Sequence, residues 1–218
     1  MPFTIDQFLE VFRNYNLTVW PMQIAFYLLG ISAIFLAVKK VSRSDEAISA
    51  ILSFFWLWMG IVYHLIFFTT INKAAYAFGI LFIIQGVLFL FLGVLRRRLS
   101  FHYRTNTYGV AGAALILFAL IVYPVIGYLS SHAYPQSPTF GLPCPTTIFT
   151  FGLLLLADRK IPYFVLIIPF LWSLVGATAA ISLGIREDLG LLFAGVIATS
   201  MIVARNRAEA DKRPEDAA

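Results

Sequence analysis

The stretch PTTIFTFGLLLLADRK, residues 145–160, joins a short apolar segment to a charged end. A helix over residues 145–157 would be about 20 Å long at 1.5 Å per residue, whereas the hydrocarbon core of a bilayer is about 30 Å thick. Six longer apolar stretches flank this segment, so the chain makes seven membrane crossings if the segment crosses and six if it does not. Whether the number of crossings is six or seven decides on which side of the membrane the cationic residues that follow this segment lie.

The longer apolar stretches are each long enough to cross the hydrocarbon core as a helix. Hydrophobic residues occupy 60% of the 218 positions, compared with about 45 to 50% in soluble domains. The sequence therefore predicts an all-α, polytopic membrane helix bundle. The predicted spans are residues 18–38, 47–68, 74–95, 108–130, 145–157, 162–184 and 188–204.

Cationic residues fall almost entirely on alternate connections between these spans. Membrane proteins carry an excess of Lys and Arg on their cytoplasmic connections. With seven spans and the N-terminus outside, thirteen of the 16 Lys and Arg residues lie on the cytoplasmic side, whereas six spans would remove the bias. We therefore predict seven crossings, with the N-terminus out and the C-terminus in. The three outer cations are Arg13, Lys73 and Arg186.

The two ends of the chain differ in character from the spans. Thr4 and Gln7 have the spacing of a helix capping box, and apolar residues follow at helical intervals. This pattern predicts an amphipathic helix over residues 1–17 that lies on the outer leaflet, ahead of a single transmembrane domain over residues 18–204. Residues 205–218 mix charges with Ala and Pro, which predicts a disordered cytoplasmic tail.

Polar residues within the spans are uncharged. The Asp, Glu, Lys and Arg residues all lie in connections, at span ends or in the termini, which argues against the ionisable relay that proton-driven transporters use at membrane depth. On the second span, Trp56, Gly60, Tyr63 and His64 follow helical steps along one face, and Gly60 opens space beside the large rings. Two interpretations stay open: an interfacial aromatic belt with a packed histidine, or the lining of an outward-opening cavity.

Residues 131–147 contain four prolines and no charge. Such a segment cannot be helical or face lipid, because its backbone groups would lack hydrogen-bond partners in hydrocarbon. It must cap the bundle or fold back into it, so the short helix that follows begins below the outer surface and directs its free N–H groups inward. The alternative is a helix that is merely short, in a locally thinned bilayer. The predicted ligand-binding residues are Gln23, Trp56, Tyr63, His64, Asn72, Gln85, His132, Cys144, Thr146 and Thr147.

The seven spans divide into three, one and three. Residues 21–29 can be aligned with residues 145–153, and Leu57-Trp58 with Leu171-Trp172. Parallel repeats of three helices joined by an inverting helix place a substrate site between them. The sequence thus suggests a three-plus-one-plus-three repeat, similar in topology to SWEET-type sugar carriers, although few identities support it.

Three parts of the chain resemble a known family. They are residues 1–8 with the nearby Tyr15-Asn16 and Val19-Trp20-Pro21, residues 56–64 with Ile71-Asn72, and residues 138–152. Together they resemble an uncharacterised bacterial family of multi-pass inner-membrane proteins, a domain of unknown function that covers nearly the whole chain. The resemblance implies the bacterial plasma membrane and implies no activity.

Three functions are compatible with these patterns. The leading prediction is a carrier or channel for a small neutral or weakly anionic molecule. The alternatives are a ligand-binding sensor or assembly subunit without turnover, and a membrane enzyme acting on a lipid or quinone-like substrate with His64 as general base. We expect the lipid bilayer and a small molecule as partners and leave a homo-oligomer open. We expect no nucleic acid, catalytic residue, metal or cofactor, because no motif for them occurs.

Overall fold

The computed structural model describes residues 2–130 and 132–211, and it confirms an all-α fold with no strand in those ranges. Three helices change type along their length: α3 continues as a π-helix at Met59–Phe67 and a 3-10 turn at Phe68–Thr70, α4 ends in a π-helix at Leu90–Leu95, and a π-helix at Phe118–Val122 joins α5 to α6. The helices are α1 (Ile5–Thr18), α2 (Met22–Lys39), α3 (Ser44–Trp58), α4 (Ala75–Phe89), α5 (Thr107–Leu117), α6 (Tyr123–Leu129), α7 (Pro143–Leu155), α8 (Phe164–Leu183) and α9 (Leu189–Asp211).

Six continuous helices are long and apolar enough to cross a membrane: α2, α3 with its continuation, α4 with its continuation, α5 with α6, α8, and α9. They also expose large apolar side chains, such as Leu28, Ile80 and Val125, along their lengths. Such side chains are stable in contact with lipid, and a helix can lie in hydrocarbon because it satisfies its own backbone hydrogen bonds. The protein is therefore a multi-pass membrane protein, while seven crossings and their orientation stay predictions.

Helix α7 is the seventh and shortest of these apolar helices, with 13 residues. It packs against α5, α8 and α9, and every residue from Pro145 to Ala157 is buried. A helix that touches protein on all sides can be hydrophobic all round. It also has no need to match the thickness of the hydrocarbon core, because other parts of the chain cover its two ends.

The C-terminal end of α7 is covered from two directions. The connection between α4 and α5 supplies two backbone hydrogen bonds, from His102 N to Leu156 O (2.9 Å) and from Asp158 N to Ser100 O (3.1 Å). From α9, Arg205 Nη1 donates to the carbonyl oxygens of Leu155 (3.1 Å) and Ala157 (2.6 Å). A guanidinium group at this position satisfies the free carbonyls of a helix end and complements its dipole.

These contacts correct the predicted boundary of the disordered tail. Helix α9 continues to Asp211, and the side chain of Asn206 is buried, with Nδ2 donating to Ile161 O at 2.7 Å. The charged residues after position 204 stay helical because Arg205 and Asn206 hydrogen-bond to carbonyl groups of the bundle. Residues 212–218 of the predicted tail lie outside the described residues.

The connections predicted to be cytoplasmic do meet at one end of the bundle. Lys40 Nζ contacts Asp45 Oδ1 (2.7 Å), Ser100 Oγ (2.8 Å) and Phe101 O (3.0 Å), which links the α2–α3 connection to the α4–α5 connection. The α7–α8 connection joins them through Asp158. We call this the basic end, and the opposite end, which carries α1, the α1 end.

Helix α1 begins with the predicted capping box. Thr4 Oγ1 accepts from Gln7 N at 3.3 Å, and Gln7 Oε1 accepts from Thr4 N at 2.9 Å. The apolar face of α1, however, is buried against the protein and does not lie free on a leaflet, because Phe8 and Phe12 pack on Tyr63 and Phe68 of the helix that continues α3. The helix covers the α1 end of the bundle.

The two sets of three helices pack differently. Helix α3 contacts both α2 and α4, which share no comparable interface, whereas α7, α8 and α9 all contact one another. The aligned tryptophans also have different surroundings: Trp58 Nε1 donates to Tyr15 OH at 2.9 Å, and Trp172 packs on His64 with ring centroids 5.1 Å apart. The repeat stays a prediction from topology and receives no support from helix packing.

Substitution of Gly152 by Ala tests the importance of close packing around α7. A Cβ atom at Gly152 would lie 2.6 Å from Ile116 Cγ1 and 2.9 Å from Gly112 O, both on α5. We expect G152A to lower the stability by about 1 to 3 kcal/mol, seen as a lower Tm of the detergent-purified protein. The matched control is G127A, whose Cβ would have its nearest contact at 3.4 Å; an equal loss in both variants would contradict the interpretation.

Candidate functional site

A cavity of about 160 Å³ lies at the α1 end of the bundle. Helix α1 forms its roof, and its walls come from the continuation of α3, from α4, α8 and the first turn of α7. An engineered cavity of ~150 Å³ in another protein holds a benzene molecule, so this space suits a ligand of about that size. The polar residues that line it are Tyr63, Asn72, Cys144, Trp172, Thr178 and Asp188.

The π-helical segment Met59–Phe67 places Tyr63 at this cavity. Short π-helical segments within α-helices are often found at functional sites. Gly60, at its start, serves helix packing, because a Cβ there would lie 2.9 Å from Gly79 O on α4. This corrects the prediction that Gly60 opens space beside the large rings, because the backbone of α4 fills the space that Gly60 leaves.

His64 lies one layer behind the cavity wall. It is fully buried, and its ring packs against Phe82 and Trp172 with centroids 4.6 and 5.1 Å away. Neither ring nitrogen has a hydrogen-bond partner. A buried imidazole without partners costs free energy, so packing alone gives no reason for a histidine at this position.

Two buried carboxylates border the same region. Glu187 and Asp188 lie in the 3-10 turn between α8 and α9, with exposed fractions of only 1% and 2%. His132 Nδ1 is 2.9 Å from Glu187 Oε1, and the Tyr123 hydroxyl hydrogen-bonds to Asp188 Oδ1. Burial raises the pKa of Asp188 to about 7, because the cost of desolvating the carboxylate outweighs the hydrogen bond from Tyr123.

These carboxylates are not among the predicted site residues. Charges at span ends are usually solvated, so their position in the sequence predicts exposure. The connection between α8 and α9 is short, however, and it turns back into the bundle beneath residues 132–142. A short connection with two adjacent acidic residues between long apolar helices is the one sequence signal that could have indicated them.

The structure brings four of the predicted site residues together and leaves the others apart. Tyr63, Asn72 and Cys144 line the cavity, and His64 lies behind it. His132 is near, but its ring is used by Glu187.

Four of the remaining predicted residues make structural hydrogen bonds elsewhere. Gln23 Nε2 donates to Asn16 O at 2.9 Å, Trp56 Nε1 to Thr150 Oγ1 at 3.0 Å and Gln85 Nε2 to Val165 O at 3.1 Å. Thr146 Oγ1 accepts from Gly141 N at 3.1 Å and so fastens residues 132–142 to α7. Thr147 is buried and its Oγ1 has no partner. Pairing with other groups in the core thus accounts for most of these polar residues without a ligand.

Asn16 is a further residue that the sequence pattern does not reveal. Its Nδ2 donates to the carbonyl oxygens of Pro135 and Ser137, both at 2.8 Å, and its Oδ1 accepts from Thr139 Oγ1 at 2.8 Å. This buried amide attaches the proline-rich segment to α1. The segment therefore caps the bundle, which is one of the two roles predicted for it.

A second cavity of about 370 Å³ lies at the basic end. Its lining includes His102, Arg104, Tyr108, Arg205 and Glu209. It also includes the residues that follow α7, so the two cavities lie at opposite ends of this helix. Between them, the buried side chains of α7 fill the centre of the bundle.

Comparison with known proteins identifies the family. A family model described as "Family of unknown function (DUF6064)" matches residues 5–213. The chain belongs to the DUF6064 family. This confirms the predicted membership in a family of unknown function that covers nearly the whole chain. No curated protein and no solved structure shows significant similarity to the chain, so the site of this DUF6064 protein is interpreted from its own geometry.

The substitution H64L tests whether His64 serves packing. Leu has a similar volume and needs no hydrogen bond, so we expect H64L to raise the stability of the ligand-free protein by about 1 to 2 kcal/mol, or a few degrees in Tm. The control, H102L at the basic end, should change stability by less than about 0.5 kcal/mol. A Tm of H64L well below that of the wild type would show that His64 makes stabilising bonds in the protein.

Proposed function

We propose that this protein is a carrier that binds a small, mainly apolar molecule with a polar group in the cavity at the α1 end. The observation that supports this most is the pair of cavities at opposite ends of α7, separated by a closed, well-packed centre. A carrier needs a site that opens to one side at a time, whereas a channel needs a continuous path. The geometry thus favours the carrier over the channel.

The chemistry of the cavity narrows the ligand class. Its walls are mostly aromatic and aliphatic, and its polar groups include the carboxylate of Asp188. A buried carboxylate repels an anion and attracts a hydrogen-bond donor or a positive charge. We therefore set aside the predicted weakly anionic ligand in favour of a neutral or cationic one.

We further propose the bacterial plasma membrane as the location, with the α1 end outside. The support is the clustering of Lys and Arg at the opposite end, which marks the cytoplasmic side of membrane proteins. In this orientation the cavity beneath α1 faces the exterior and takes up its ligand from there.

Uptake measurements test the carrier. Purified protein in proteoliposomes would be assayed with radiolabelled amines, amides and alcohols of about the size of benzene, against empty vesicles. The variant A179F places a ring in the cavity, because Ala179 lines it, and should reduce uptake to the level of empty vesicles. The matched control is A77F, on an exposed face of α4, which should retain wild-type uptake.

Failure would take a clear form in this assay. If wild-type vesicles accumulate no compound faster than empty vesicles, the carrier proposal is wrong. If A179F and A77F lose uptake equally, transport does not use this cavity.

A sensor without turnover is the second proposal, and the roof of the cavity favours it. Helix α1 contributes Phe8 and Phe12 to the lining, and Phe3 just before it also lines the cavity, so a bound ligand contacts this helix and can displace it. Movement of a surface helix on ligand binding can be read by a partner protein. The alternative of an enzyme receives no support, because His64 has no hydrogen bond to Cys144 or to any other described nucleophile.

Hydrogen exchange distinguishes the sensor from the carrier. The compound that raises the Tm of the wild type most would be added, and exchange of the backbone amides of α1 measured. For a sensor we expect a change of exchange in α1 together with no uptake in proteoliposomes. Unchanged exchange in α1 on binding would contradict the sensor.

A further inference from the structure

We propose that the ligand of the α1-end cavity is a small organic ammonium ion that also carries an oxygen acceptor, held by the carboxylate of Asp188, the aromatic walls and the indole N–H of Trp172. The inference rests on the proposed binding function and names its ligand class. Three observations support it: the aromatic character of the lining, the buried carboxylate and the unpartnered indole nitrogen.

The lining of the cavity is unusually aromatic. Rings come from four different elements, represented by Phe8 of α1, Tyr63 of the π-helical segment, Phe78 of α4 and Trp172 of α8. The faces of aromatic rings carry negative potential and attract cations, and cages of several rings recognise quaternary ammonium groups. A purely aliphatic ligand would need no such concentration of rings.

Asp188 supplies the negative charge that an ammonium ion needs. Its side chain lines the cavity and is 2% exposed. The donors beside it are neutral, the hydroxyl of Tyr123 and the thiol of Cys144, and the ring of His132 is bonded to Glu187. An ionised carboxylate in an apolar cavity is costly without a counter-charge, and a bound ammonium ion would provide one.

The indole nitrogen of Trp172 is the independent observation. Trp172 lines the cavity with only 8% of its surface exposed, and its Nε1 donor has no oxygen or nitrogen acceptor, since the group nearest to one is the weakly accepting sulfur of Cys144. Buried indole N–H groups usually find an acceptor. A ligand with a hydroxyl or carbonyl oxygen would supply it, which points to amino alcohols and related compounds.

The size of the cavity agrees with this class. The volume of about 160 Å³ is close to the ~150 Å³ that accommodates benzene. Choline, with a trimethylammonium group and one hydroxyl, is of that size. It is a suitable probe because its charge does not depend on pH and because 3,3-dimethylbutan-1-ol has the same shape without the charge.

Direct titration of the full-length protein in detergent tests the inference. Choline and 3,3-dimethylbutan-1-ol would each be titrated by calorimetry, with ethanolammonium and propan-1-ol as a second pair whose members both keep the hydroxyl. We expect each cation to bind roughly tenfold or more tightly than its neutral partner. The substitution D188N should remove this preference, whereas the control E46Q at the basic end should retain it.

A second variant covers the case in which D188N does not fold. W172F keeps an aromatic ring and removes the donor. It should therefore weaken the binding of choline and leave the binding of tetramethylammonium, which has no oxygen, unchanged.

The affinity for choline should also rise from about pH 6 to about pH 8 as Asp188 ionises. The titratable groups around Asp188 are Tyr63, Tyr123, His132, Cys144 and Glu187.

The outcomes separate this inference from the proposed function. Equal or tighter binding of the neutral partners would overturn the ammonium ligand and leave the cavity as a site for apolar molecules. Absence of binding by all four compounds to the folded wild-type protein would overturn the ammonium ligand, and the uptake assay with A179F would then decide the carrier separately. Preferential cation binding that D188N abolishes would establish the inference.

Discussion

The fold depends on complete burial of α7. Thirteen residues form a helix of about 20 Å, which is too short for a bilayer core of about 30 Å, and the helix is apolar on every side. It is accommodated because α5, α8 and α9 surround it, residues 132–142 cover its N-terminus, and Arg205 with the α4–α5 connection covers its C-terminus. The irregular backbone at both ends is thereby paired with protein groups, as a membrane interior requires.

The same arrangement produces the site. Since residues 132–142 must fold inward to cover α7, they carry His132 toward the bundle, and the short turn between α8 and α9 brings Glu187 and Asp188 to meet it. Helix α1 then packs its aromatic face over the space that remains. The result is a small aromatic cavity bordered by a buried carboxylate, and these two features together are the basis of the ammonium ligand proposed above.

The polar residues of the spans show why site prediction from composition has limits. Gln23, Trp56 and Gln85 are polar and lie in apolar helices, which suggests ligand contact, yet each donates to an oxygen of a neighbouring segment. A polar group buried in a membrane bundle must be paired whether or not a ligand is present. Tyr63, Asn72 and Cys144 look no different in sequence, and they line the cavity because of where their helices end.

Hydrophobicity and length suffice to derive the all-α class, the multi-pass character and the capping box of α1 from the sequence, because these depend on local composition and on spacing within one helix. Alternation of charge likewise predicts which connections share an end. The burial of Glu187 and Asp188, the docking of α1, the helical continuation through Arg205 and the close approach at Gly60 and Gly152 required the three-dimensional structure. Each of them depends on contacts between segments far apart in the chain, and no local pattern specifies which segments meet.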